Sequence, residues 1–271
     1  SVFDMHNQLA FGHSDYSRIL IEIIGTSNGT VNRGAFNLTY KMGTKGVERI
    51  NVADTSAMPS GWSYENWHHY AFVFKADSTN DKTIIKFYVD GILVSENSLG
   101  TAITSSYEKD WQAMLGAYVT GPFSGSFAGS FVGTSQQSCY DEFRFWKTAR
   151  TEKDIKRNWF KQVRGGTNTD DANVKLGVYY KFNEGIVNTT VVDSTDAKAL
   201  DYSGRITNAD IINYDLSVRS TDSALTNEYK DPIVRSNNSL VVEYKNSMEA
   251  KGEAYDLGNH TSIMNSIPKW I

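Results

Sequence analysis

The sequence predicts an all-β protein, an antiparallel sandwich or barrel with one short capped helix and an irregular C-terminal extension. Short runs rich in β-branched and aromatic residues follow one another through the first 135 residues, parted by Gly, Asn, Asp and Ser. Strands at that spacing belong to sandwiches or barrels, not to βαβ units. Asp90-Gly91 stands between two such runs, and both central residues of a type I′ hairpin turn need φ > 0, which these two tolerate best. A 13% aromatic content with 21 Gly and only 4 Pro suits twisted strands joined by tight turns.

Strands are expected at residues 18–24, 35–41, 67–74, 83–89 and 92–96. Gly43-Thr44-Lys45-Gly46 lacks the spacing of a phosphate-binding loop and reads as a hairpin turn. Alternation is clearest at 84–89, where Ile85, Phe87 and Val89 share one face. A helix is expected over about 151–163. Thr151 and Asp154 have the spacing of a capping box, and Ile155, Trp159, Phe160 and Val163 form one apolar stripe. Gly165-Gly166 would end it. Lys153, Lys156, Arg157, Lys161 and Arg164 on the other face fit a solvated surface or a polyanion-binding one. A further strand fits 178–182. Residues 1–186 thus read as the sandwich, and 187–271, rich in Asn, Asp, Ser and Thr, as an extension or the start of a neighbouring module. The apolar end at 267–271 looks cut from a longer chain or tied down against a partner.

Charge is nearly balanced, 27 Lys and Arg against 31 Asp and Glu, which argues against a chain-wide nucleic-acid footprint. The longest apolar stretches are too short for a membrane helix, and the chain does not open on a signal-peptide pattern. Cys139 is the single cysteine, so neither an internal disulfide nor a cysteine zinc site can form. Sequons at Asn28, Asn37, Asn188, Asn237 and Asn259 are acceptors only in a secretory pathway; a β protein rich in Asn, Ser and Thr also produces such triplets by chance.

Four segments in order carry a resemblance: Asn66 to Phe74 with its Trp-His strand, Lys86 to Gly91 with Tyr-Val-Asp-Gly, Leu115-Gly116-Ala117, and Tyr140 to Trp146 with Asp-Glu-aromatic-Arg. With the helix after them they resemble the laminin G-like domains of the concanavalin A-like lectin/glucanase superfamily. The likeness is specific over roughly 60–165 and weaker over 1–60. It implies a two-sheet antiparallel jelly-roll sandwich whose first strands lie upstream of Ser1. It also leaves open whether Tyr179 to Gly185 with Asp201 to Gly204 closes this sandwich or begins another. The order of elements and the polar tail resemble, in texture, tail or baseplate structural proteins of bacteriophages.

The superfamily raises glycoside hydrolysis. A retaining enzyme needs two carboxylates about 5–5.5 Å apart on one face. Glu22 stands alone in its strand, and Asp141 and Glu142 are adjacent and point oppositely, so no enzyme is expected. His68 and His69 likewise face opposite ways and read as hydrogen-bonded core or interface residues. Calcium, which some laminin G-like domains hold at the sandwich rim, has candidate ligands in Asp77, Asn80 and Asp81 and in Asp193 and Asp196, although Asp and Asn also cap turns without metal. No other cofactor is expected.

Residues 121–133 repeat Gly every fourth position with Phe between, a period that suits neither strand nor stable helix. Phe123, Phe127 and Phe131 would make an interface patch if exposed or a lid on the core if folded back. The expectation is a non-catalytic recognition or assembly module, a structural or adhesion part of a virion or cell surface. It would have other chains of an assembly as partners, and neither nucleic acid nor membrane insertion. The alternative is a carbohydrate-binding module, with Trp62, Tyr64, Trp111 and Tyr118 as ligand-facing rings.

Overall fold

The structure, a computed structural model, describes residues 1–7, 9, 12–23, 36–63, 66–104, 111–120, 130–132, 139–160, 162–163, 174–182, 197–205 and 207–212; at 118–120 and 130–132 it describes the backbone alone. The chain divides into two compact units. One comprises Ser1–Trp159, Val163–Glu184 and Lys198–Asp210; the other comprises Phe160–Gln162, Gly185–Ala197 and Ile211–Ile271. The first is described below.

Its five-stranded antiparallel sheet runs in the order β4 (Lys45–Ala53), β3 (Phe36–Met42), β2 (Ser17–Ile23), β1 (Phe3–His6), β8 (Gln112–Leu115). A three-stranded sheet is formed by β5 (Tyr70–Asp77), β6 (Lys82–Val89) and β7 (Ile92–Leu99). The two bury one core between them. Phe3, Ile19, Ile21, Phe36 and Leu38 come from the large sheet, and Ile85, Phe87, Val89 and Leu99 from the small one. Phe36 meets Phe87 across the interface with ring centroids 5.0 Å apart. This is the all-β jelly-roll sandwich that the strand pattern and the resemblance together imply. The face shared by Ile85, Phe87 and Val89 is the core face, each of the three at most 1% exposed.

Pairs of shorter strands complete the unit: β9 (Tyr118–Thr120) with β10 (Ser130–Val132), β11 (Phe143–Trp146) with β12 (Leu176–Tyr180), and β13 (Lys198–Ala199) with β14 (Ala209–Asp210). Phe143 and Phe145 pack on the main core, Phe143 with its ring 5.6 Å from that of Phe3. Asp201 bridges to Tyr180 and accepts from the Tyr179 N–H through Oδ1 at 3.0 Å, while the Tyr202 N–H donates to the Tyr179 carbonyl at 2.8 Å. Asp201 and Tyr202 thereby lie against β12.

Local chemistry accounts for the turns. Asp90 and Gly91 have φ of 49° and 79° and close a two-residue hairpin with Val89 opposite Ile92. Glycine is required at 91 for a second reason: a Cβ there would stand 2.5 Å from Trp159 Cδ1. Gly43 and Thr44 join β3 to β4, with Met42 opposite Lys45.

Helix α1 (Glu152–Asn158) has the reciprocal capping box. The Asp154 N–H donates to Thr151 Oγ1 at 3.1 Å, and the Thr151 N–H donates to Asp154 Oδ2 at 3.2 Å. It is shorter than the expected 151–163, since Trp159 is already the C-cap. Trp159 turns toward Gly91 and His69, and only Ile155 of the apolar stripe is buried within the helix, against Val73 and Tyr88. One buried contact on the outer side of the small sheet suffices to hold a two-turn helix, so the stripe does not extend it. The Gly165-Gly166 stop lies outside the described residues.

Ser130–Val132 is also a correction to the strand-averse reading of 121–133. Phe131 pairs with Val119, because a partner strand supplies the ladder bonds that the local period does not favour.

Candidate functional site

Side chains alternate along β1 and β2, so when Phe3, Met5, Ile19 and Ile21 enter the core, Asp4, His6, Arg18, Leu20 and Glu22 share the other face. That face is polar yet buried: Asp4 and His6 are 0% exposed and Glu22 is 6% exposed. Burying a charge is costly unless it is paired and hydrogen-bonded. Arg18 meets that need for Asp4 with a bidentate fork, Nε to Oδ1 at 2.8 Å and Nη2 to Oδ2 at 2.7 Å. Its Nη1 donates to the Tyr16 hydroxyl at 3.3 Å. Arg49, at a φ of 47° in the irregular β3–β4 register, donates from Nη2 to Glu22 Oε1 at 3.0 Å, and its N–H donates to Thr39 Oγ1 at 3.1 Å. Glu22 Oε2 is buried without a hydrogen-bond partner. Burial holds the His6 imidazole below the usual histidine value and lifts the Tyr16 phenol above its own.

Asp4 faces Leu20, two residues short of Glu22. Two carboxylates therefore do occupy one face, on neighbouring strands, a pairing that an i, i+2 search along single strands misses. Diagonal positions of this kind stand roughly 7–8 Å apart between Cα atoms. Each carboxylate meets a guanidinium, and both oxygens of Asp4 are occupied.

Where β2 begins and β3 ends, Gly12, His13, Ser14, Tyr16, Lys41, Gly43 and Thr44 line a groove of about 180 Å³. The Gly43 N–H donates to the Tyr16 carbonyl at 2.8 Å and ties the two lining segments together. Tyr16 belongs both to this groove and to the Asp4–Arg18 network. The lining residues carry a cation, an imidazole and three hydroxyls, a set that can hydrogen-bond a polyhydroxylated ligand.

Of the rings expected to face ligand, Trp62 and Trp111 have described side chains. Trp62 is half-buried on the core, donates from Nε1 to the Tyr70 hydroxyl at 3.0 Å and packs against His68. Trp111 is half-buried ahead of β8, and Tyr118 begins β9. Tyr64, Phe123 and Phe127 lie outside the described residues, as do Asp193 and Asp196.

The expected calcium loop is an Asx turn. Asp77 Oδ1 accepts from the Thr79 and Asn80 N–H groups, each at 3.2 Å, and Oδ2 accepts from Asn80 Nδ2 at 2.8 Å. Asp81 Oδ1 accepts from the Ala102 N–H at 3.0 Å. Asp77 and Asp81 thus engage N–H donors of their own turn and of the segment after β7. Among the described residues no group of three or more His, Cys, Asp or Glu converges on one point.

His68 and His69 do face opposite ways. His68 Nδ1 is 2.7 Å from Asp90 Oδ2, and the His69 N–H donates to Asp90 Oδ1 at 2.8 Å. The His69 ring packs against Trp159, its Nδ1 is buried without a partner, and burial beside Arg144 lowers its pKa to about 4. A second buried cluster lies on β11 and β12, where the Arg144 Nη2 and the Tyr179 hydroxyl both donate to Glu142 Oε2, at 2.5 and 2.6 Å.

Comparison with known proteins adds two findings. The laminin G-type family model described as the concanavalin A-like lectin/glucanases superfamily matches residues 10–156. Among solved structures, a candidate carbohydrate binding protein from Bacteroides ovatus is similar at 19% identity and a TM-score of 0.35, over 76% of this chain and 50% of that one. This chain thus spans half the length of that protein. No curated protein matches the sequence.

Proposed function

Because the chain belongs to the concanavalin A-like lectin/glucanases superfamily, we propose that it is a non-catalytic recognition module whose ligand is a carbohydrate, bound in the groove between Tyr16, Lys41 and Thr44. The observation that carries the non-catalytic reading is the commitment of the buried carboxylates. Asp4 spends both oxygens on Arg18, Glu22 spends one on Arg49 and keeps the other buried, and Glu142 meets Arg144 and Tyr179. A general acid or nucleophile must reach substrate with a free oxygen, and Asp4 is wholly buried. A binding module needs only donors, acceptors and shape.

Glycan-array screening followed by calorimetry tests this. Binding in the micromolar to millimolar range is expected, weakened roughly tenfold or more by Lys41→Ala, since a hydrogen bond to a charged group is worth about 1.5–3 kcal/mol. Chelators leave that binding unchanged. Glycan hydrolysis abolished by Asp4→Asn or Glu22→Gln overturns the proposal.

A second reading, a structural or adhesion part of a virion or cell surface, is favoured by exposed apolar side chains near β12. Val174, Leu200 and Tyr202 are 48, 43 and 37% exposed. Light scattering separates the two: concentration-dependent self-association lost on Leu200→Ser with Tyr202→Ser supports assembly, and a monomer that binds glycan supports recognition alone.

A further inference from the structure

The groove where β2 begins and β3 ends is lopsided in charge. Of the described residues that line it, Lys41 is a cation and none is Asp or Glu. The carboxylate paired with Lys41 is that of Glu48, 3.9 Å away at the outer limit of an ion pair. The Glu48 side chain is 45% exposed and that of Lys41 only 21%, so a cation largely withdrawn from water is matched by a solvated partner. Such a pair contributes little.

The rest of the lining set is rich in donors and poor in acceptors. His13 Nδ1 accepts from the Asp15 N–H at 3.1 Å, so the proton of the neutral ring is on Nε2 and the imidazole joins the set as an N–H. The Tyr16 carbonyl is already taken by the Gly43 N–H, and the Tyr16 hydroxyl already accepts from Arg18 Nη1 at 3.3 Å. Asp15, the acid of the lining segment, is not itself a lining residue; its Oδ1 accepts from the Ser14 hydroxyl at 3.4 Å. A sugar hydroxyl donates as well as accepts and needs acceptors around it, whereas an anionic oxygen only accepts.

We propose that the sugar taken by this groove is an acidic one, a ring whose carboxylate or sulfate ester is held by Lys41 and His13. This rests on the carbohydrate reading above and names the class of sugar within it. At about 180 Å³ the groove is smaller than the roughly 300–1,000 Å³ of pockets for drug-sized ligands, a size that suits one ring better than a chain of them.

Calorimetry with small uronides of the gluco, galacto and manno series tests the assignment, each against its methyl ester, which keeps every hydroxyl and removes the charge. Sulfated monosaccharides against their unsulfated parents form a second arm and tell a sulfate ligand from a carboxylate one. In at least one arm the acidic sugar is expected to bind about tenfold or more tightly than its neutral counterpart, a preference that shrinks as salt rises. Lys41→Gln abolishes the preference, and Lys41→Arg, which keeps the charge, retains it. Glu48→Gln removes the carboxylate that competes for Lys41, so it strengthens binding of the acidic sugar and leaves the neutral one unaffected. Equal binding of acidic and neutral counterparts, or a preference that survives Lys41→Gln, overturns the acidic class and leaves the carbohydrate reading standing. If no sugar binds, on the array or in either arm, the carbohydrate reading itself fails and this inference falls with it.

Discussion

Both faces of the five-stranded sheet carry fully buried side chains, held by opposite means. On the inner face Phe36 and Leu38 are 1 and 0% exposed among other apolar side chains, while on the outer face Asp4 and His6 are 0% exposed within an ionic network. The inner face is held by area removed from water, which is non-directional and tolerant of repacking. The outer face is held by bonds that must each keep their geometry, because an uncompensated buried charge has nowhere to go. Equal burial therefore hides unequal tolerance.

The largest effects test that contrast directly. Phe87→Ala should cost about 3–5 kcal/mol in urea unfolding, as for other large aromatic truncations in cores. Asp4→Ala should cost a similar amount, about 3–5 kcal/mol, by stranding Arg18. The faces part company in the double change Asp4→Leu with Arg18→Met, which is expected to be neutral or stabilising by about 1–4 kcal/mol. No paired change should rescue Phe87→Ala in that way. If Asp4→Ala costs less than a surface pair is worth, the outer face is hydrated and the contrast fails.

Acid should act on the buried imidazoles next. His69 titrates near pH 4 in the folded protein, with burial first and Arg144 second as causes, against about 6.5 when unfolded. The unfolded chain takes up the proton first, so this group's stability is lost as pH falls from about 6.5 toward 4. His6 contributes in the same direction. His68 runs the other way: its raised value gives stability that is full below the ordinary histidine pKa and is lost as pH rises through the raised one. Urea midpoints across that range should show His69→Leu flattening the acid limb and His68→Gln flattening the neutral one.

Smaller effects mark where burial ends. Arg49 is 59% exposed at its side chain although Glu22 is 8%, so Arg49→Ala should cost about 1 kcal/mol, part of it from the carboxylate left behind. Lys86 and Glu96, 2.7 Å apart at 32 and 48% exposure, should contribute less than about 1 kcal/mol and fade in high salt. Thermal melts at two ionic strengths separate the last pair from the rest.

Much of the sandwich was legible because its information is local. Ile85, Phe87 and Val89 alternate, Asp90-Gly91 takes two positive φ values, and Thr151 caps with Asp154; each depends on residues close in the chain. The four-residue β1 escaped notice, since Phe3–His6 is too short to show a period. Without β1 the Asp4–Arg18 pair had no partner to find, and Glu22 looked solitary. The groove combines 12–16 with 41–44, brought together by the pairing of Ser17 with Met42. Trp62, read as a ligand-facing ring, is engaged with Tyr70 and His68, an arrangement that aromatic character alone does not reveal.

What the sequence by itself determined is the material of the fold: strands, the hairpin turn at 90–91, the cap at 151, and membership of a superfamily built on sandwiches. The tertiary structure alone decided which charges are buried, which partner each receives, and which of two neighbouring histidines is held neutral. Strand periodicity depends on neighbours two residues away, whereas the state of a charge depends on everything within a few ångströms, most of it distant in the chain.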